Sequence, residues 1–154
     1  MAANNSATTA EDTAVGVTLS ATDVDSASVT FAIVSGPTNG GVVIGSPSCT
    51  PSGMGSSCTA TATYTPTANY NGPDSFTYKV TDRGDPDGCS PGPTCAAAKD
   101  SNVATVSITV RPVNDPPTAN AFSINVDEDS SALATLGGSD VETSPANFTY
   151  TITV

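Results

Sequence analysis

The sequence predicts an all-β protein: a Greek-key β-sandwich followed by the opening strands of a second, incomplete copy of itself. Three observations point there. Apolar residues alternate with polar ones in several short runs, as half-buried strands require because successive side chains face opposite ways. Thr, Ser, Gly, Pro and Asn abound while charged residues are only 12% of the chain, which suits threonine-faced strands and turns better than surface helices. Finally, acidic motifs recur. Glu11-Asp12 returns as Glu128-Asp129, Asp23-Val24-Asp25 as Asp140-Val141-Glu142, and Phe31 as Phe148, each displaced by 117 (128−11, 140−23, 148−31). A disordered tract has no reason to alternate or repeat in this way.

The elements follow in order. An irregular edge segment is expected over residues 3–10. Residues 15–21 place Val15, Val17, Leu19 and Ala21 on one face, and residues 29–34 supply a second apolar run. A turn at 38–41 introduces Val42, Val43 and Ile44, and the first cysteine stretch leads to an alternating segment at 59–65. Phe76, Tyr78 and Val80 alternate with Thr77, Lys79 and Thr81, and Val106, Ile108 and Val110 with Ser107 and Thr109. The total is about seven strands, the number of an immunoglobulin-like sandwich. Val17, Leu19, Phe31, Phe76, Tyr78, Val106 and Ile108 are the expected core. The expected organisation is a sandwich over residues 1–112, a proline-stiffened linker over 113–117, and the first strands of a second repeat over 118–154. Half a sandwich leaves an apolar face and unpaired strand edges. The second repeat is therefore read as a slice of a longer array, or as one whose missing strands another chain supplies.

Fifteen acidic residues against four basic ones give a formal charge of −11, which repels a nucleic-acid backbone and an anionic membrane surface and favours cations as partners. The four cysteines fall in two close pairs inside Gly, Ser and Pro-rich stretches. Short intervening loops favour Cys49–Cys58 and Cys89–Cys95 among the possible connectivities, and such staples point to an oxidising, extracytoplasmic location. Zinc is the weaker reading, because there is no His and neither pair has zinc-finger spacing. No stretch is apolar enough to span a membrane, and the first residues lack the basic start and apolar run of a signal peptide. The chain is read as a mature segment with any export signal or anchor outside it.

Further motifs carry a resemblance. Glu11-Asp12-Thr13 precedes the second strand and Asp23-Val24-Asp25 follows it; Tyr64-Thr65-Pro66 leads to Tyr70-Asn71-Gly72-Pro73-Asp74-Ser75-Phe76-Thr77-Tyr78. Val80-Thr81-Asp82 and Val113-Asn114-Asp115-Pro116-Pro117 complete the set. In this order and spacing the chain resembles the bacterial cadherin-like tandem repeats of large surface adhesins and, more distantly, cadherin extracellular domains. The two cysteine-stapled insertions depart from that pattern, as does Gly84, where a cadherin carries a second acidic residue. The resemblance implies a noncatalytic, calcium-stiffened repeat of a secreted or cell-surface adhesin or extracellular filament, serving as spacer and adhesive module. By analogy, calcium at the joint would collect Glu11, Asp82, Asn114, Asp115, Asp140 and Glu142, because it takes about six to eight hard oxygen ligands. Asp23 with Asp25 would be a half-site for a preceding repeat, and Glu128 with Asp129 for a following one. The implied partners are adjacent repeats of the same or an identical chain, a strand-complementing subunit, and a cell-surface glycan or protein.

Against each stands a plainer reading. Asp and Asn in loops most often cap turns; recurrence of both acidic motifs at one offset around the proline joint tips the balance to calcium. Arg83-Gly84-Asp85 has the form of an integrin ligand but is better read as a turn. Asn4-Asn5-Ser6 and Asn147-Phe148-Thr149 fit a permissive glycosylation pattern. A carboxylate-pair enzyme is disfavoured, because no His, Trp or nucleophile motif accompanies acids expected at domain ends. The alternative function is a calcium-dependent carbohydrate-binding module, or an accessory domain of a secreted carbohydrate-active enzyme, presenting its ligand on residues 45–58 and 83–101.

Overall fold

The computed structural model describes residues 1–89 and 92–152. They form two compact units, Met1–Pro112 and Val113–Val154. Among the described residues of the first unit eight strands form: β1 (Asn5–Ala10), β2 (Val15–Asp23), β3 (Thr30–Ser35), β4 (Gly40–Ile44), β5 (Ser48–Ser52), β6 (Gly55–Pro66), β7 (Gly72–Thr81) and β8 (Ala104–Arg111). One sheet has the order β1-β8-β7-β3, and the other β2-β6-β4 with β5 also on β6. The Ig-like all-β sandwich predicted from the alternation is thus the fold.

Alternation decides what each strand contributes to the layer between the sheets. Along β6, Cys58, Ala60, Ala62 and Tyr64 point inward while Thr59, Thr61, Thr63 and Thr65 point to solvent. Phe76, Tyr78 and Val80 from β7, and Ala104, Val106, Ile108 and Val110 from β8, close the core from the opposite sheet. All seven expected core residues are buried.

The N-terminal edge is more regular than its polar sequence suggests. Ala2 bridges Ala21 on one sheet, and the chain then crosses so that β1 pairs in parallel with β8 on the other. One strand segment therefore seals both sheets. A further departure lies in the first cysteine stretch, expected as a loop. It forms the hairpin β5–β6, in which Cys49 and Cys58 are directly opposed and disulfide-bonded, with Cα atoms 4.0 Å apart. Opposed cross-strand residues bring their Cβ atoms within bridging range, so the disulfide and the hairpin specify the same register. Cys89–Cys95 is the second disulfide, in the excursion between β7 and β8. There Gly84 is buried, a Cβ on it would lie 2.4 Å from the Ala96 carbonyl oxygen, and Arg83 reaches Asp87 at 3.5 Å. The Arg83-Gly84-Asp85 tripeptide is therefore a packed turn.

Asp74 ties three segments together. Its carboxylate accepts N–H bonds from Thr38 (3.0 Å), Asn39 (2.9 Å) and Ser75 (2.8 Å), and the hydroxyl of the fully buried Tyr64 donates to it at 2.9 Å. Burial raises the Asp74 pKa, but these donors together outweigh it and hold the carboxyl below its ordinary value. The Tyr64 hydroxyl is pushed well above its ordinary range, first by burial and then by the Asp74 charge.

The second unit contains β9 (Thr118–Ala119), β10 (Gly138–Ser139) and a short 3₁₀ turn, Pro145–Asn147. It repeats local geometry of the first at the 117-residue offset. Asp12 and Asp129 both adopt left-handed backbone, φ 59° and 56°, a conformation Asp tolerates better than most residues. The Ala2–Ala21 bridge recurs as Ala119–Gly138, and the Ala3 N–H to Ser20 carbonyl bond (3.2 Å) as Asn120 to Gly137 (2.9 Å). Longer strands were expected here. Residues 120–137 have no strand partner, because the strands that pair their counterparts in the first unit are β6 and β8.

Candidate functional site

Strand direction sorts the acidic residues of the first unit into two ends. Glu11 follows β1, and its N–H donates to the Arg111 carbonyl (2.9 Å) beside the end of β8. The residue is 2% exposed. Next to it, the Asp12 carboxylate accepts the Asn69 N–H at 3.0 Å and fixes the turn between β6 and β7. Asp82 follows β7, which runs antiparallel to β8 and ends near Ala104. The rise of β8, about 3.3 Å per residue over seven steps, separates these ends by roughly 23 Å. Glu11 and Asp82 do not share a site. The expectation that both lie at the linker end is corrected by the opposite sense of β1 and β7.

Asp82 instead joins the Asp23-Val24-Asp25 turn and the N-terminus. Asp23 Oδ1 accepts N–H bonds from Asp25 (3.2 Å) and Ser26 (2.7 Å), while Asp82 Oδ1 accepts from Gly84 (2.9 Å) and Lys99 (2.8 Å). Met1, Asp23, Asp82 and Asn102 line one depression. Burial raises the Asp23 pKa, but the Ser26 and Asp25 N–H groups, the Asp25 side chain and the N-terminal ammonium bring it below its ordinary value. The neighbouring Asp25 carboxyl is raised, first by its hydrogen bond to Asp23, then by desolvation and by the charges of Asp23, Asp85 and Asp82. This end of the sandwich concentrates negative charge.

Within the second unit, the linker acid and the second acidic turn come together. Glu142 Oε2 accepts the Asp115 N–H at 3.0 Å, and Asp140 Oδ1 accepts from Glu142 (3.1 Å) and Thr143 (2.6 Å). The last two bonds reproduce those of Asp23 to Asp25 and Ser26 at the 117 offset. Asn114, Asp115 and Asp140 line a cavity of about 310 Å³ with Thr118, Asn147 and Tyr150. Glu128 and Asp129 lie in the turn equivalent to Glu11 and Asp12, and both are exposed. Among the described residues no group of three or more His, Cys, Asp or Glu converges closely enough to hold an ion. The donors available are oxygens, since all four cysteines are in disulfides and the chain has no His. Such a donor set suits calcium and not a thiophilic metal.

Sequence reasoning quoted Asp74 within a motif without giving it a role, and missed Asp85 as a neighbour of Asp25. An acid placed two positions before an inward aromatic, Phe76, was the signal for the first; proximity in sequence to Asp82 was the signal for the second.

A family model described as a bacterial Ig domain matches residues 1–90. The chain belongs to the bacterial Ig domain family. No curated protein and no solved structure matches it. Bacterial Ig domains are typically noncatalytic structural modules, in keeping with a site built of turn-bound carboxylates at the ends of a sandwich. Among the described residues, no helix is long and apolar enough to cross a membrane.

Proposed function

We propose that this chain is a calcium-stiffened tandem Ig repeat of a secreted or cell-surface adhesin or extracellular filament, acting as a spacer and adhesive module. The observation that carries the reading is the recurrence, 117 residues apart, of one acidic turn, the second copy of which binds the N–H of linker residue Asp115 through Glu142. A turn that merely needed capping would be satisfied by Asp23 or Asp140 alone. The acids two positions on, Asp25 and Glu142, are additional carboxylates, and each adds repulsion unless a cation answers it.

Calcium would be held by Asn114, Asp115, Asp140 and Glu142 together with Glu11 from the first sandwich. Asp82 moves from that set to the half-site of Asp23 and Asp25, which serves a preceding repeat; Glu128 and Asp129 serve a following one. When bound, the ion supplies charge neutralisation and bridging. The residues themselves supply position: backbone N–H groups fix one oxygen each of Asp23, Asp82, Asp140 and Glu142. Pro116 and Pro117 restrict the linker, so little backbone freedom remains once the ends are clamped. Two disulfides accord with an oxidising, extracellular setting.

Calorimetric titration with calcium tests this. The wild-type chain is expected to bind in the sub-millimolar to millimolar range of extracellular modules, and Asp115→Ala to bind at least about tenfold more weakly with the first sandwich still folded. Absence of binding by the wild type at millimolar calcium would return the acidic motifs to turn caps.

A further inference from the structure

One flank of the first sandwich carries no charge. All fifteen acids and four bases lie between Glu11 and Asp25 or between Asp74 and Glu142, and none lies in residues 26–73, the stretch that supplies β3, β4, β5 and β6. β3 ends one sheet on this flank; β4, with β5 further along β6, ends the other. The opposite flank is closed by the N-terminal segment, which bridges Ala21 on one sheet before it joins β8 on the other as β1. An open strand edge is ordinarily blunted by charge, proline or a bulge. β3 has a register shift between Ile33 and Ser35, and β5 carries Pro51. β4 has none of these: Gly40–Ile44 pair with β6 in unbroken register and, among the described residues, with no other strand.

The hydrogen bonds show which backbone groups β4 offers. The Thr67 N–H donates to the Asn39 carbonyl (2.9 Å) and the Gly45 N–H to the Thr61 carbonyl (2.8 Å), so the odd-numbered residues here bond toward β6. Alternation then turns the N–H and C=O of Val42 and Ile44 away from β6, along the open edge. Their side chains pack against the core, whereas Val43 stands on the outer face, 72% exposed, between Gly41 and Gly45. An antiparallel strand that bonds to Val42 and Ile44 covers Val43 as well if it brings an apolar residue opposite it. A second β4 does so. With the two Val43 residues opposed, Val42 of each copy faces Ile44 of the other, and Val43 occupies the closer, non-hydrogen-bonded kind of pair. Charge selects the same occupant. Two chains of formal charge −11 repel over most of their surface, and on this flank they meet without opposed carboxylates.

We propose that β4 is a self-association edge, pairing antiparallel with β4 of a second copy about a two-fold axis at Val43 and joining the two β2-β6-β4 sheets side by side. The contact is lateral, unlike the end-to-end joint, and rests on neither calcium nor the second unit. Five paired residues bury less than a standard stable interface, so a single contact is weak; in a tandem array, contacts along two chains would add by avidity.

Sedimentation equilibrium and residue-resolved amide exchange on the full chain, in chelator so that a calcium result cannot enter, test the proposal. The wild-type chain is expected to dimerise with a Kd of about 0.1–1 mM. Exchange at Val42 and Ile44 should slow as concentration rises, while Val43, bonded to β6, stays slow throughout. Val43→Lys should weaken association at least about tenfold, because like charges are then opposed, and should keep the fold because position 43 faces solvent. Lysine lowers the net charge, so general repulsion cannot account for that loss. Val34→Lys, on the exposed part of β3, should leave association intact. Four results would overturn the proposal: a monomer at about 2 mM, association of Val43→Lys equal to wild type, equal loss from Val34→Lys, or concentration-dependent slowing that spares Val42 and Ile44.

Discussion

Asp74→Ala is expected to destabilise the first unit by about 2–3 kcal/mol, because a half-buried carboxylate that serves four donors is removed, a sizeable part of what a domain of this size holds. Three backbone N–H groups, of Thr38, Asn39 and Ser75, lose a charged acceptor at once, and the Tyr64 hydroxyl loses its partner on the other sheet. Tyr64→Phe removes one of these bonds and should cost about 1–2 kcal/mol. Urea unfolding of the two variants separates the cases; equal losses would show that Asp74 acts through Tyr64 alone. The pH dependence has a definite sign. Because the folded-state pKa of Asp74 lies below its ordinary value of 3.8, its contribution is complete above that value and is lost as pH falls through the folded-state pKa. Asp74→Asn should flatten the decline in stability below about pH 4, and an unchanged acid limb would contradict the assignment.

Tyr78→Ala should have a larger effect, about 3–5 kcal/mol, as expected for emptying a large aromatic site in a packed core. The ring is fully buried against Phe31, and its hydroxyl reaches the carbonyls of Ala3 (2.6 Å) and Ser20 (3.1 Å). Those contacts fasten the N-terminal segment where it crosses between sheets. Tyr78→Phe keeps the ring and should cost about 1 kcal/mol. If the Phe variant were as damaged as the Ala variant, the hydroxyl and not the packing would dominate, contrary to the expectation.

The strands were legible because alternation survives in the sequence wherever one face is buried: Val17 and Leu19, Phe76 and Tyr78, Val106 and Ile108 all point inward. β5 was not, because residues 48–52 include Pro51 and carry no apolar face of their own; β6 pairs them and the disulfide pins them. The regularity of β1 was also hidden. Its register comes from parallel pairing with β8, about a hundred residues away, and not from local pattern. Among the acidic residues, the repeated Asp turn was readable from spacing, and its hydrogen bonds at Asp23 and Asp140 repeat as the residues do. Asp82 was placed at the wrong end because motif order was followed where strand direction decides. Alternating the senses of the seven expected strands, of which the one at residues 76–81 is the sixth, would have put it beside Asp23. Asp74 escaped notice because its partners, Thr38, Asn39 and Tyr64, are contributed by segments 10 to 36 residues away.

The central claim is that calcium rigidifies the joint between repeats while the sandwich stands without it. Small-angle X-ray scattering of the chain in millimolar calcium and again in chelator addresses it most directly. The account predicts a narrower distribution of pair distances with a longer maximum dimension in calcium, and a broader distribution of shapes in chelator, with circular dichroism of the β-sandwich unchanged. Superimposable scattering profiles in the two conditions would contradict it.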